Sequence, residues 1–165
     1  MLSRQEIEQH LKNPNVRKML GVIASAEGVK HGYNTMFGNE RLSDLSKHPG
    51  ILKEFTQTDG KKNKTSAAGR YQFLEPTWNG LAKQLGLKDF SPKSQDIAAV
   101  ALLAQNGALP HVLKGDIPTA VKKSGGTWAS LPSAPDSYKQ PKKTWSDIGT
   151  VSYTHLRAHE TKANL

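Results

Sequence analysis

A chain of 165 residues with no cysteine, 23 Lys and Arg against 14 Asp and Glu, and a net charge of +9 excludes several classes of protein. It has room for one domain with a real core but not for two full ones, and it can hold neither a disulfide framework nor a thiolate metal site or thiol nucleophile. Its basic character fits association with a polyanion, whether nucleic acid, an anionic membrane face or an anionic cell-wall polymer.

The excess charge is unevenly placed. Residues 144–165 carry Asp147, Arg157, Glu160 and Lys162 and are neutral, so the net charge belongs to residues 1–143. Glu6 and Glu8 stand where a signal peptide needs an apolar run, and no stretch reaches transmembrane length. The expectation is a soluble protein made in the cytoplasm, without stable membrane insertion.

Ser3-Arg4-Gln5-Glu6 fits a capping box and predicts a helix over about 4–12. Asn13-Pro14 then offers a cap and a first-turn proline, predicting a second helix over 14–27. Leu20, Ile23, Ala24 and Glu27 recur on one face of that helix, so an otherwise apolar stripe ends in a carboxylate. Gly28 follows as a C-terminal stop. Partial desolvation and the negative end of the helix dipole both raise a carboxyl pKa, which suits a proton donor near neutrality. The plainer reading is a surface glutamate that precedes a glycine.

Tyr33, Thr35 and Phe37 alternate with Asn34 and Met36, and Gly38-Asn39 offers a turn before Glu40-Arg41-Leu42, which predicts a small antiparallel hairpin. Residues 56–66 are polar and cationic without apolar periodicity and read as a mobile loop. Pro76 opens a helix carrying Trp78, Leu81, Ala82 and Leu85 and stopped by Gly86. Ser91-Pro92 starts another that runs to Gln105, with Ile97, Val100, Ala101 and Ala104 on its buried face. Pro110 and Pro118 fit the starts of two short helices. From Pro132 the composition turns to a loop or fraying end, and residues 146–165 read as a tail outside a catalytic domain of residues 1–145, disordered or appended. His155 and His159 lie one helical turn apart, but no third ligand accompanies them, so neither a metal nor another cofactor is expected.

Taken in order, Ala26-Glu27-Gly28, His31-Gly32-Tyr33, Ala68-Gly69-Arg70-Tyr71-Gln72, the block Lys83–Asp96, Gly107–Pro110 and Trp128–Pro132 resemble the lambda-type phage lysozymes, a family of peptidoglycan lytic transglycosylases. The similarity covers about residues 18–140. It implies an α+β, lysozyme-like fold, with a mostly helical lobe and a small antiparallel β-lobe flanking a glycan-binding cleft. It also implies that Glu27 is the catalytic acid and that Arg70, Tyr71 and Gln72 belong to a sugar-contacting motif. Tyr138 is placed like a late cleft tyrosine, although Pro135-Asp136-Ser137 departs from the family's glycine-rich stretch. Asn34 stands in the cleft where the family pattern has an aspartate. The implied partner is bacterial peptidoglycan, cut by a monomer that gathers in the host cytoplasm and reaches the wall through a membrane pore made by another protein.

Glycoside hydrolysis usually requires two carboxyl groups, whereas a lytic transglycosylase needs one. Asn34 supplies hydrogen bonds but neither charge nor base, which favours the one-acid route. Glu40, Asp44 and Asp59 remain candidate second acids, their other reading being solvated charges. Arg70 has two readings, a substrate carboxylate ligand or an internal ion pair. Trp78 and Trp128 read as core, and His31 and His48 as structural histidines. A hydrolysing muramidase of the same fold and, from another class, a basic nucleic-acid-binding module stay open, although no nucleic-acid motif is present and none is expected as a partner.

Overall fold

The computed structural model describes residues 2–149. Helix α1 spans Arg4–His10, and its capping box forms as the spacing requires: Glu6 N–H donates to Ser3 Oγ at 3.1 Å and Ser3 N–H to the Glu6 carboxylate at 3.4 Å. Helix α2 runs Pro14–Glu27, capped by Asn13 Oδ1 accepting from Asn15 N–H at 2.8 Å. Gly28 closes it at φ 67°, a left-handed conformation that glycine adopts at little cost.

Four further helices complete the larger lobe: α3 (Glu75–Leu85), α4 (Pro92–Gln105), α5 (Leu109–Leu113) and α6 (Ile117–Ser124). Helix α4 is the centre. The ten residues from Ser94 to Leu103 are all buried, so the expected one-sided stripe is instead a helix enclosed all round. Its alanines let α1, α2, α3 and α5 pack against it. Each fully buried Ile, Val or Leu there contributes roughly 1.5–3 kcal/mol of transfer free energy.

The predicted hairpin forms with shorter strands, because Gly32–Asn34 is a 3₁₀ turn. Strand β1 (Thr35–Met36) pairs antiparallel with β2 (Glu40–Arg41). The stretch read as a mobile loop holds the turn and second strand of another hairpin, in which β3 (Lys53–Thr56) pairs with β4 (Lys62–Thr65). Its strands have little apolar side chain to show a period. The backbone ladder, a turn with Gly60 at φ 85° and the Phe55–Phe37 ring contact at 5.6 Å hold it together. So small a sheet must lean on the body. The bridges Met36↔Ala68 and Ala68↔Phe73 tie the first hairpin to the turn that follows the second.

After α6 the chain is irregular, as its composition suggested, but it is not loose. Thr58 N–H donates to Lys139 O at 2.9 Å, and Lys143 N–H to Ser130 O at 2.7 Å, so this segment runs from the β3–β4 turn back to the helical lobe. Ala134 and Ile148 are buried in it, and Trp145 is partly buried against the core. Packing therefore continues past the boundary expected at residue 145; His155 and His159 lie outside the described residues. Ile148→Ala should remove about 2–4 kcal/mol of stability by leaving a cavity. Thermal denaturation should show the melting temperature falling by about 5–10 °C; an unchanged value would mean that Ile148 does not pack.

Candidate active site

Glu27 is the last residue of α2, beneath a cavity of about 340 Å³ between the helical lobe and the two hairpins. Met36, Phe37 and Phe55 from the hairpins, Gln72 and Trp128 share the lining, and no other acid among the described residues does. With Ile23 and Ala24 buried behind it, the Glu27 carboxyl is desolvated, which raises its pKa to about 7. Two groups oppose that rise. The nearby Ser130 hydroxyl favours the charged form, followed by the Lys143 ammonium. Ser130 Oγ is buried and has no settled hydrogen bond among the described residues. A half-enclosed carboxyl poised near neutrality can hold a proton, release it and take one back.

Gln72 is the second residue aimed at the cavity. It adopts φ 52°, a conformation rare for a non-glycine residue. Its Nε2 donates to Gly69 O at 2.9 Å and Thr35 O at 3.4 Å. Those bonds leave Oε1 without a partner among the described residues, free to accept from a sugar hydroxyl or acetamido N–H.

Four other residues expected in the cleft are placed elsewhere. Tyr71 is fully buried, and its hydroxyl donates to Asp96 Oδ1 rather than to a ligand. Burial and the Asp96 carboxylate push the phenol pKa well above its ordinary value, so it remains a donor. Arg70 turns the same way: one guanidinium nitrogen donates to Tyr71 Oη at 2.6 Å, and the group lies over the Tyr33 and Tyr71 rings at 5.4 and 5.3 Å. Asn34 donates to Leu42 O at 2.8 Å, clamping the first hairpin. Tyr138 is exposed and donates to Gly126 O at 2.8 Å. None of the four lines the cavity.

The candidate second acids are engaged elsewhere. Glu40 pairs with Lys53 at 2.8 Å, Asp44 accepts from Ser46 N–H at 2.9 Å, and Asp59 accepts from Lys61 N–H at 3.1 Å. Trp78 packs against Phe90 and Phe73 as core. Trp128 is also buried but supplies part of the cleft wall, its indole N–H donating to Tyr71 O at 3.1 Å. His48 is buried with Nε2 on Phe73 O at 2.8 Å, and burial lowers its pKa, which fits a structural histidine. Among the described residues no three His, Asp or Glu side chains converge to hold a metal ion.

Sequence reasoning assigned no role to Ser130, Gln140 or Lys143, which lie beside Glu27 or in the cavity wall. Ser130 belongs to the distinctive Trp128–Pro132 stretch, a signal that was present. Lys143 is brought back by an irregular segment, and no periodicity marks that return.

A helical body and small antiparallel hairpins enclosing a one-acid cavity define a lysozyme-like, glycosidic-bond-cleaving enzyme. Comparison with known proteins agrees. The family model described as Endolysin matches residues 17–157. The Endolysin of Escherichia phage lambda is 43% identical over 129 residues, covering 73% of this chain and 79% of that one. The Endolysin of Escherichia phage P2 is 33% identical over 150 residues, covering 83% and 90%. Among solved structures, bacteriophage lambda lysozyme complexed with a chitohexasaccharide superposes with a TM-score of 0.70 at 39% identity, covering 81% of this chain and 89% of that one. The chain belongs to the endolysin family.

The desolvated carboxyl has a cost for stability whose sign can be checked. The folded pKa lies above the unfolded one, so between about pH 4.5 and 7 the folded state binds more protons and stability falls as pH rises. Glu27→Gln removes that dependence. Relative to the parent, the variant should gain little at pH 4 and up to ~3 kcal/mol at pH 8, measured by urea unfolding at each pH. A gain independent of pH would contradict the assignment.

Proposed function

We propose that this endolysin is a lytic transglycosylase, which cuts the β-1,4 bond between N-acetylmuramic acid and N-acetylglucosamine in bacterial peptidoglycan and closes a 1,6-anhydro ring. The observation that carries the reading is the solitary acid: among the described residues Glu27 is the one carboxyl in the cavity wall, and its pKa is raised to about 7. A hydrolase of the usual kind would place a second carboxylate across the scissile bond.

In the first step protonated Glu27 gives its proton to the glycosidic oxygen as the C1–O bond breaks. Positive charge develops at the muramyl C1. The carboxylate then takes the proton from the muramyl C6 hydroxyl as O6 bonds to C1, so Glu27 ends protonated and no water is consumed. A pKa near 7 serves both halves, because neither gaining nor losing the proton is strongly uphill. Desolvation sets that value, and Ser130 and Lys143 keep it from rising further.

Gln72 presents its carbonyl to the sugar, and the Phe37, Phe55 and Trp128 walls offer apolar faces to the glycan. The relative solved with a chitohexasaccharide supports a cleft for a β-1,4 amino-sugar chain. No helix among the described residues is long and apolar enough to cross a membrane, which is in keeping with a monomer that accumulates in the host cytoplasm and reaches the wall when a separate pore opens.

Two measurements test this. Mass spectrometry of products from purified peptidoglycan should find muramyl ends lighter by one water than hydrolysed ends; hydrated ends alone would establish a hydrolase instead. Glu27→Gln should lower the rate by about a thousandfold, the range for losing a general acid–base group. In the parent enzyme the rate should fall as pH rises above about 7, where the proton donor is lost. Full activity of Glu27→Gln would refute the mechanism.

A further inference from the structure

The most heavily hydrogen-bonded side chains in the molecule lie outside the cavity, at the start of α4. Asp96 is buried and accepts from three side chains. Arg17 approaches Oδ2 at 2.7 Å, Tyr33 Oη reaches Oδ1 and Oδ2 at 2.9 and 3.1 Å, and Tyr71 Oη donates to Oδ1. Its neighbour Gln95 is fully buried. Gln95 Oε1 accepts from Arg70 N–H at 2.9 Å, while Nε2 donates to Tyr33 O at 3.2 Å and Phe90 O at 2.8 Å.

Both residues thus grip one short segment, the turn Gly69–Gln72, from its buried side. The fit is close: a Cβ on Gly69 would lie 2.5 Å from Gln95 Oε1 and 2.8 Å from the Phe90 ring. From the other directions Gly69 N–H donates to Thr35 O at 2.7 Å, and Trp128 holds Tyr71 O. The last residue of the turn is Gln72, left-handed and facing the cavity that contains Glu27. A left-handed non-glycine residue persists only when its surroundings over-determine it; here the Ala68–Phe73 bridge closes the turn, while Gln95 and Asp96 hold its two central residues, Arg70 and Tyr71, from the buried side.

We propose that Gln95 and Asp96 are positioning residues for glycan cleavage, holding the Gly69–Gln72 turn so that Gln72 presents its side-chain carbonyl to the sugar. The proposal rests on the cavity being the glycan site. On this view Arg70 and Tyr71 serve the reaction without touching substrate: they are the inward half of a turn whose outward half is Gln72. Asp96 lies 24 residues beyond Gln72 in the chain, and it neither gives nor takes a proton in the reaction.

A double-mutant cycle on purified peptidoglycan tests this. Tyr71→Phe keeps the buried ring and removes one hydroxyl, Asp96→Asn keeps the shape but removes the charge and turns one acceptor oxygen into an NH2 donor, and Gln72→Ala removes the outward carbonyl. Each single variant should lose about ten- to a hundredfold in rate, the scale for one hydrogen bond to a charged or reacting group. Tyr71→Phe combined with Gln72→Ala should lose no more than the worse single, because both act through the same carbonyl. The pH at which the rate falls should stay at the parent value in Tyr71→Phe, since the environment of Glu27 is untouched. Losses that multiply, a parental rate in Tyr71→Phe or Gln72→Ala, or a displaced pH limb would each overturn the proposal. Should Asp96→Asn fail to fold, the Tyr71–Gln72 cycle still decides. Glu27→Gln run alongside separates the two levels: its full activity would undo the functional reading, whereas its inactivity with multiplying losses would undo only the positioning role.

Discussion

A carboxylate enclosed in protein survives only when donors surround it, and Asp96 imposes that constraint on the whole molecule. Satisfying it brings together α2 through Arg17, the turn before β1 through Tyr33 and the cleft turn through Tyr71. These segments are remote in sequence, and each lies where the others need it because one carboxylate on α4 must be served. Burying such a group is weak evidence for stability, since desolvation offsets most of the gain. It is better evidence for specificity. An apolar residue at position 96 would pack without dictating where Tyr71 must stand.

Glu27 is the opposite case, and the contrast explains the chemistry. Both acids are largely desolvated, but Asp96 has three donor side chains at close range, while Glu27 has an unsettled serine hydroxyl and one ammonium to favour its charge. Starving one carboxyl of donors leaves its pKa near neutrality, where it can act both as acid and as base. The same fold therefore holds a fully bonded carboxylate as a fixture and an under-bonded one that the proposed mechanism makes its reagent. Placing Glu27 at the end of α2, with Gly28 turning the chain away, keeps donors scarce.

Much of this was legible in the chain, and what was hidden was hidden for identifiable reasons. Helix starts at Pro14 and Pro92, with caps at Asn13 and Ser91, were readable because local side-chain chemistry alone terminates helices. The Leu20–Glu27 stripe pointed to the acid that lines the cavity. The β3–β4 hairpin was missed because its pairing is carried by backbone bonds that polar sequences share with loops. That Arg70 and Tyr71 turn inward was hidden for a different reason. A motif reveals that a turn matters, but which of its residues face ligand and which face the core depends on Asp96, 25 residues beyond Tyr71 and readable only in three dimensions. Ser130 and Lys143 meet Glu27 through tertiary return of the chain, which leaves no period.

The distribution of charge completes the division of labour. The helical core is apolar and rigid, whereas the cations near the cavity sit on its least buried parts: Lys61, Lys62 and Lys64 on the second hairpin, Lys139, Lys142 and Lys143 on the returning segment. The bond from Thr58 N–H to Lys139 O joins those two parts. Only some of these charges are neutralised, Lys142 by Asp136 at 2.8 Å and Lys62 by Glu54 at a looser 4.0 Å. Exposed lysines add little to stability, and salt screens them over about 10 Å. What they do provide is a cationic exposed surface on the second hairpin and the returning segment, of the kind that attracts polyanions. Geometry is thus assigned to the buried body, while the excess positive charge sits on exposed parts that contribute little to the fold.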